Sequence, residues 1–189
     1  SMSLIGILIL LPIFLIIALI IYLQDFSNPL YIAKRVGLNG NNFNIIKFRT
    51  MIVNADKSGV DSTSANDKRI TYIGSFLRKY KLDELTQLIN VLIGNMSLVG
   101  PRPNVKRETD LYTSIEKQIL TMKPGITDIA SLVFSDEGQI LLGKEDPDIA
   151  YNQLIRPWKS RLALFYIDNQ NLIFDIRIII LTLIAIINK

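Results

Sequence analysis

The chain has 189 residues, of which 49% are apolar, and its formal net charge is +4 at neutral pH. It contains no histidine and no cysteine, which excludes Ser-His-Asp hydrolysis, Cys-His nucleophiles and zinc sites built from thiolate or imidazole ligands. Covalent or acid–base chemistry must therefore be carried out by Asp, Glu, Lys, Tyr, Ser or Thr. The length of the chain suits one domain.

The N-terminal part is an apolar run from Leu4 to Leu23 that carries no charge and is interrupted only by Pro12. As a straight helix this run would extend about 30 Å, enough to cross the hydrocarbon core of a bilayer. A signal peptide is a poor alternative, because no basic segment precedes the run and no small-residue cleavage motif follows it. Pro12 lacks an N–H and opposes the carbonyl one turn back, which favours a sharp bend. A kinked spanning helix and a shallow hairpin both remain open.

Three elements are predicted between this run and the middle of the chain. Leu30–Val36 and Phe43–Met51 are short and rich in β-branched or aromatic residues, and the Gly- and Asn-rich stretch between them predicts a β-hairpin. Val53–Lys68 is polar and rich in Asp, Ser and Thr, which predicts a mobile loop. Ile70–Tyr80 predicts a short helix.

Apolar residues recur at helical spacing from Asp83 to Ile93, which predicts an amphipathic helix. Beside its apolar face, Asp83, Gln87 and Asn90 form a polar stripe. Asp83 has a plain structural explanation, because Asp is a favoured helix N-cap worth roughly 1 kcal/mol. Glu84 would likewise gain from the helix dipole. The polar stripe extends beyond what capping requires, and this favours a functional role.

The C-terminal half is predicted to be mostly helical. Val105–Met122 predicts one helix, and Asp136–Asp148 is acidic and rich in turn residues. Pro157–Asn169 predicts a second helix, with Trp158 as its packing anchor. Asn171–Asn188 predicts a last helix that is apolar almost all round, so it is either a second membrane-contacting helix or a core helix.

Positive charge is concentrated between Lys34 and Arg107, where 13 Lys and Arg face five Asp and Glu. Nucleic acid, anionic lipid headgroups or a phosphorylated small substrate could each explain such a segment. Nucleic acid is the least favoured partner, because no zinc-finger spacing or RNP-type aromatic motif accompanies the charge, whereas a membrane anchor does. A solvated basic surface is the alternative without a partner.

The residues after the predicted polar stripe point to chemistry on a phosphate ester. The Gly-Pro-Arg-Pro sequence at 100–103 restricts the backbone on both sides of Arg102, whose planar fork can bind phosphate through two hydrogen bonds. Mg²⁺ binds one or two carboxylates together with phosphate oxygens, and an aspartate can attack phosphorus. The candidate residues for this chemistry are Asp83, Glu84 and Arg102, with Lys47, Arg49 and Arg78 as further phosphate contacts.

Five sequence blocks in this order resemble the bacterial sugar transferases, the monotopic phosphoglycosyl transferases, over nearly the whole chain. The longest block is LRKYKLDELTQLINVLIGNMSLVGPRP at 77–103. The other four are RVGLNG at 35–40, KFRTM at 47–51, NDKRIT at 66–71 and KPGIT at 123–127. Five spaced blocks are far more specific than any single motif.

The resemblance implies a reaction and roles for individual residues. Such enzymes transfer a sugar-1-phosphate from a UDP-sugar to polyprenol phosphate through a covalent aspartyl-phosphosugar intermediate, and they release UMP. This is a first membrane step in glycoconjugate assembly. The resemblance implies Asp83 as the nucleophile, Glu84 as a Mg²⁺ ligand and Arg102 as a phosphate contact.

The resemblance also implies how the chain meets the membrane. Residues 1–24 would form a re-entrant helix hairpin broken at Pro12, with both ends on the cytoplasmic face of the bacterial inner membrane. Lys34 and Arg35 follow the exit and favour that side. Residues 25–189 would form a cytoplasmic catalytic domain. The expected fold is α+β and predominantly helical, with a small β-hairpin.

Two other functions remain possible from the sequence. One is a one-step transferase that works through a ternary complex, with Asp83 as a general base or metal ligand only. The other is a membrane-anchored scaffold without enzyme activity, whose basic segment binds anionic lipid. The sugar, the polyprenol and the oligomeric state are not determined by these patterns.

Overall fold

The computed structural model describes residues 2–58, 63–64 and 66–188. The structure is mainly helical and contains two small two-stranded sheets, so the predicted α+β, predominantly helical class is confirmed. The strands are β1 Leu30–Val36, β2 Asn42–Phe48, β3 Ser97–Val99 and β4 Gly125–Thr127. The helices are α1 Met2–Asp25, α2 Tyr72–Lys79, α3 Gln87–Leu92, α4 Lys106–Thr109, α5 Ile129–Val133, α6 Glu137–Ile140, α7 Pro147–Ala150, α8 Arg156–Asn169 and α9 Leu172–Ile187.

Helix α1 is apolar on every side, yet it packs against the rest of the protein along one stripe. Phe14, Ile17 and Ile21 lie at helical spacing and are buried together with Phe48 and Leu77. The rings of Phe14 and Phe48 meet edge to face, with their centroids 5.9 Å apart. Most other α1 side chains are exposed, so α1 is attached to the rest of the protein through one face only.

By length and composition, Ser3–Asp25 could cross a membrane, and only 17% of its most apolar 18-residue stretch is buried. The helix is continuous through Pro12, whose side chain lies on the exposed side, so the break predicted at this residue is not confirmed. The re-entrant path through a membrane stays a prediction.

The predicted β-hairpin is confirmed. β1 and β2 are antiparallel, with Leu30 opposite Phe48 and Val36 opposite Asn42. The connection contains a 3₁₀ turn in which Asn39 has a φ of 55° and Gly40 a φ of 77°. The Val36 N–H also donates to the carbonyl oxygen of Asn104 at 2.9 Å, which holds the hairpin against the segment that follows Arg102.

The polar loop predicted at Val53–Lys68 falls partly outside the described residues, because it includes residues 59–62 and 65. Its described beginning contains a 3₁₀ turn at Ala55–Ser58. The short helix predicted at Ile70–Tyr80 is confirmed as α2, which Thr71 caps by accepting a hydrogen bond from the Gly74 N–H.

The helix predicted over Asp83–Ile93 is divided. A 3₁₀ turn covers Leu82–Glu84, and α3 begins only at Gln87. The residue before the 3₁₀ turn, Lys81, has a φ of 56°, a left-handed conformation that interrupts helical hydrogen bonding from α2.

Helix α3 is joined to strand β2 through side chains. The Thr86 hydroxyl donates to the Ile46 carbonyl oxygen at 3.0 Å. The Asn90 Oδ1 accepts from the Ile46 N–H at 3.0 Å, and its Nδ2 donates to the Asn44 carbonyl oxygen at 2.8 Å. Asn90 is fully buried. Its place on the polar stripe is thus structural, because it satisfies backbone groups of β2.

The parallel pair β3–β4 was not predicted. Ser97 lies opposite Gly125 and Val99 opposite Thr127. Just beyond β3 the backbones of Gly100 and Gly125 touch, and a Cβ added to Gly125 would lie 2.1 Å from the Gly100 nitrogen. Only glycine permits this approach, which brings the Gly-Pro-Arg-Pro segment beside β4.

The prediction of a single helix over Val105–Met122 is wrong. The structure has α4 and then a separate 3₁₀ helix at Glu116–Thr121. The Glu116 carboxylate accepts from the Thr113 N–H, and the Thr113 hydroxyl accepts from the Glu116 N–H. This is a capping box, which starts a new helical segment in the middle of the predicted one.

The two helices predicted at the C-terminal end are confirmed as α8 and α9. The prediction that Trp158 is the packing anchor of α8 is wrong, because Trp158 is 55% exposed and the Arg161 guanidinium lies over its ring. Tyr166 anchors α8 instead, buried beside Ile178 of α9.

Candidate active site

A cavity of about 730 Å³ lies between the β-hairpin, the segment joining α2 to α3, and the Gly-Pro-Arg-Pro segment. Every predicted site residue outside α1 lines this cavity. These residues are Lys47, Arg49, Arg78, Asp83, Glu84 and Arg102. The long-range contacts of the fold thus bring together residues that are separated by up to 55 positions.

Glu84 is the centre of an ion-paired cluster in this cavity. Its Oε1 accepts from Lys47 Nζ at 2.8 Å and from Arg102 Nη2 at 2.6 Å, while its Oε2 accepts from Arg102 Nη1 at 3.3 Å. Burial opposes ionisation of Glu84, but Arg102 and Lys47 hold the pKa of this carboxyl well below its ordinary value. Glu84 is therefore a permanent anion at neutral pH.

Asp83 is adjacent in sequence but has different surroundings. It is buried, and within the described part of the chain no hydrogen bond reaches its carboxylate. Burial and the negative charge of Glu84 raise the pKa of Asp83, while Lys47, Arg78 and Lys81 oppose the shift. The result is a carboxylate with unused oxygens that faces a cationic cavity.

Arg102 is held in place through its backbone. The Arg102 N–H donates to Asp128 Oδ2 at 3.2 Å, and the other Asp128 oxygen accepts from the Ser131 N–H at 2.6 Å as the N-cap of α5. Asp128 is buried. One side chain thus couples the start of α5 to the segment that carries the arginine, whose own pKa the Glu84 charge raises.

The two remaining predicted arginines differ. Arg78 lines the cavity, and burial lowers its pKa while Asp83 and Asp67 oppose that shift. Arg49 makes a bidentate pair with Asp25, with both N–O distances at 2.6 Å, and its Nε donates to the Asn28 carbonyl oxygen. The structure therefore uses Arg49 to fix the end of α1 against β2, at the margin of the cavity.

Sequence reasoning missed Asp128, which accepts from the Arg102 backbone, and several residues that line the cavity. Asp128 carried a signal, because an Asp just before an apolar segment is a typical N-cap. Lys81 carried none, since its left-handed backbone depends on the tertiary arrangement. Tyr151, Glu137 and Lys159 line the far side of the cavity, where Lys159 pairs with Glu137 and lies over the Tyr151 ring. Their distance along the chain hid them.

The acidic residues here fit a metal ion only in part. The described residues contain no group of three or more acidic, His or Cys side chains that could hold a metal alone. Mg²⁺ usually takes one or two carboxylates together with phosphate oxygens and waters. Asp83 with its free oxygens and Glu84 Oε2 with one long hydrogen bond supply such a pair, because each carboxylate oxygen accepts more than one partner.

The whole chain, residues 1–189, matches the model of the bacterial sugar transferase family. It is 36% identical over 97% of its length to the exopolysaccharide production protein PSS of Rhizobium leguminosarum bv. phaseoli, covering 90% of that protein. It is 32% identical over 93% of its length to the exopolysaccharide production protein ExoY of Sinorhizobium fredii, covering 77%.

A third relative carries a named reaction. The chain is 36% identical over 94% of its length to the UDP-glucose:undecaprenyl-phosphate glucose-1-phosphate transferase of Xanthomonas campestris pv. campestris, but it spans only 35% of that longer protein. The fold, the cavity and the family match define a transferase. The chain belongs to the bacterial sugar transferase family.

Proposed function

We propose that this protein transfers a sugar-1-phosphate from a UDP-sugar to a polyprenol phosphate and releases UMP, in the assembly of a bacterial polysaccharide or other glycoconjugate. The main support is the cavity, in which the unpaired Asp83 carboxylate lies beside the Glu84–Lys47–Arg102 cluster. The named reaction of the Xanthomonas relative supports the substrate classes.

The proposed reaction has two displacements at the same phosphorus. An Asp83 carboxylate oxygen attacks the β-phosphorus, and the bond from that phosphorus to the bridging oxygen breaks. UMP leaves with the bridging oxygen, and the sugar-phosphate remains on Asp83. An oxygen of polyprenol phosphate then attacks the phosphorus and displaces Asp83, which gives a polyprenyl diphosphosugar.

The surroundings of Asp83 suit this role. A carboxylate without hydrogen bonds keeps its oxygens available for attack, and burial makes its anion more reactive than in water. Arg102, Lys47 and Arg78 can neutralise the diphosphate, whose charge would otherwise repel the attacking carboxylate. Arg49 contributes less, since Asp25 already occupies its guanidinium.

Glu84, together with Asp83, would hold a Mg²⁺ ion shared with the substrate phosphates. When bound, that ion supplies charge neutralisation at the diphosphate. Glu84 has a second task that the geometry supports directly, because it orients Lys47 and Arg102 towards the cavity through short ion pairs.

Location at a membrane follows from the acceptor, which is a long apolar chain. We propose that α1 enters the inner membrane as a re-entrant element with both ends cytoplasmic, and that the catalytic part lies on the cytoplasmic face. The exposed apolar surface of α1 supports the membrane contact. Helix α9 also exposes apolar residues along most of its length, including Leu181, Leu183 and Ile187, which favours a second contact over a core position.

The proposal is tested by incubating the purified full chain with Mg²⁺, polyprenol phosphate and a panel of UDP-sugars while UMP release is measured. One sugar should give Mg²⁺-dependent UMP release that Asp83→Asn abolishes. A membrane-anchored scaffold would release none. Exchange of labelled UMP into the UDP-sugar without acceptor should occur in the two-step reaction, and its absence would favour the one-step ternary-complex transferase.

A further inference from the structure

Gln87 is a polar residue in the cavity whose side chain has no evident structural task. It is only 2% exposed, and it lines the same cavity as Asp83. Its Nε2 is buried and has no hydrogen-bond partner among the described residues. A buried N–H donor without a partner loses its water hydrogen bonds and gains nothing in return.

The neighbours of Gln87 show what a structural polar residue looks like here. Thr86 and Asn90 are also buried, and both bond to the backbone of β2. Their polar atoms therefore join α3 to the sheet. Gln87 lies between them in sequence, yet its amide nitrogen donates no hydrogen bond to any described residue.

Gln87 also has a defined position relative to Asp83. Gln87 begins α3 directly after the 3₁₀ turn that carries Asp83, with Leu85 and Thr86 between them in the right-handed helical region. Both residues line the same cavity. A group held by Asp83 would thus occupy the cavity that the Gln87 side chain lines.

We propose that Gln87 Nε2 donates a hydrogen bond to a non-bridging oxygen of the phosphoryl group that Asp83 attacks. This assignment rests on the proposed function and makes Gln87 a catalytic residue of that reaction. The phosphoryl oxygens are the acceptors that the buried donor lacks, and they are present only while substrate or the covalent intermediate occupies the cavity. The hydrogen bond should be strongest in the transition state, where charge is spread over these oxygens.

The test is Gln87→Met in the full chain. Methionine is unbranched, of similar length and without a donor, so it fills the same space. We expect kcat for UMP release to fall about a hundredfold, as for other single donors to a transition state. The KM for the UDP-sugar should stay within about threefold, because the lost interaction belongs mainly to the transition state. The apparent Tm should be unchanged or higher, since an apolar side chain replaces an unpaired donor.

Asn90→Leu is the matched control from the same stripe. It removes the side chain that pairs with the Ile46 N–H and the Asn44 carbonyl oxygen, and it should lower the apparent Tm by at least about 4 °C. Gln87→Met should show the opposite pattern, with lost kcat and preserved Tm.

Three results would overturn the assignment or its basis. A wild-type kcat in Gln87→Met would show that no substrate oxygen accepts a hydrogen bond from the Gln87 amide, for example because a water molecule in the cavity accepts it instead. A fall in Tm equal to that of Asn90→Leu would show a structural role. A wild-type chain that releases no UMP from any UDP-sugar would contradict the proposed function itself, whereas the first two results contradict only the role of Gln87.

Discussion

The pKa values of two adjacent carboxyl groups in one cavity are shifted in opposite directions by their neighbours. Glu84 faces Lys47 and Arg102 at hydrogen-bond distance, and these cations keep its pKa well below the ordinary value despite burial. Asp83 is equally buried but lacks such bonds, so burial and the Glu84 charge raise its pKa. One residue is thus a fixed anion that orders cations, and the other is a high-energy anion suited to attack.

Asp83→Asn should separate activity from stability. Activity should fall at least about a thousandfold, because the attacking oxygen is lost. The apparent Tm at neutral pH should rise, because the raised pKa means that the fold disfavours the Asp83 anion. UMP release and thermal unfolding measure the two effects. More than about 1% of wild-type turnover would instead support the one-step transferase.

The same substitution has a predictable pH dependence. The folded wild type binds the Asp83 proton more tightly than the unfolded chain, so its stability falls as pH rises from the ordinary Asp pKa to the raised folded pKa. The Tm advantage of Asp83→Asn should therefore be absent near pH 3, grow through that window and stay constant above it. An advantage that is independent of pH would contradict this explanation.

Arg102→Lys should lower kcat/KM for UMP release roughly 10–100-fold although it preserves the charge. Lysine cannot reproduce the planar fork that bonds to both oxygens of Glu84 and presents further N–H groups to a phosphate. The control is Arg161→Lys, on the exposed surface of α8, which should leave kcat/KM unchanged. Equal activity of the two variants would indicate that Arg102 acts as general positive charge only.

The short parallel pair β3–β4 fixes the position of the segment that carries Arg102. It places Gly100 against Gly125, and Asp128, which immediately follows β4, then bonds to the Arg102 backbone. The site thus depends on a close backbone contact that tolerates no side chain at either glycine.

Gly125→Ala should destabilise the protein by at least about 2 kcal/mol, because its Cβ would lie 2.1 Å from one Gly100 backbone atom and 2.5 Å from another. This corresponds to a fall in Tm of about 4–8 °C for a domain of this size. Gly6→Ala is the control, since its Cβ would meet only the end of the Leu88 side chain at 3.4 Å. Similar Tm values for both variants would show that the contact can relax.

Considered as a whole, the molecule exposes apolar surface mainly on α1 and α9. Exposed apolar side chains along most of a helix are typical of a membrane or protein contact. Since α1 is attached to the catalytic part along the stripe of Phe14, Ile17 and Ile21, its position relative to the cavity is set by packing. The depth of the cavity relative to the bilayer would then follow from the same packing.

The path of α1 can be measured with single cysteines in this cysteine-free chain. Leu4→Cys and Gln24→Cys lie near the two ends of α1, on exposed side chains. The re-entrant proposal expects that an impermeant thiol reagent added to intact cells labels neither position, whereas both are labelled after lysis. Labelling at position 4 alone in intact cells would show a spanning helix, and it would leave the role of Asp83 unaffected.

The sequence by itself was sufficient to predict the elements whose formation depends on neighbouring residues. Strand and helix periodicity predicted the hairpin, α2, α8 and α9, because these elements follow from the dihedral preferences and the apolar spacing of neighbouring residues. The candidate residues Asp83, Glu84 and Arg102, which line one cavity, were also identifiable, since they lie within one continuous block. The resemblance drawn from five such blocks agrees with the family match over the whole chain.

Only the tertiary structure decided which of these residues meet. Lys47 reaches Glu84 across 37 positions and Asp128 reaches Arg102 across 26, and no periodic pattern encodes such pairings. Arg49 was predicted as a phosphate contact, but its guanidinium is held in an ion pair with Asp25. The prediction of one helix over Val105–Met122 failed for a different reason, because a local signal, the Thr113–Glu116 capping box, begins a new helical segment inside it. The physical reason is that charge and hydrogen-bonding capacity belong to a residue, whereas its partner depends on how distant segments pack.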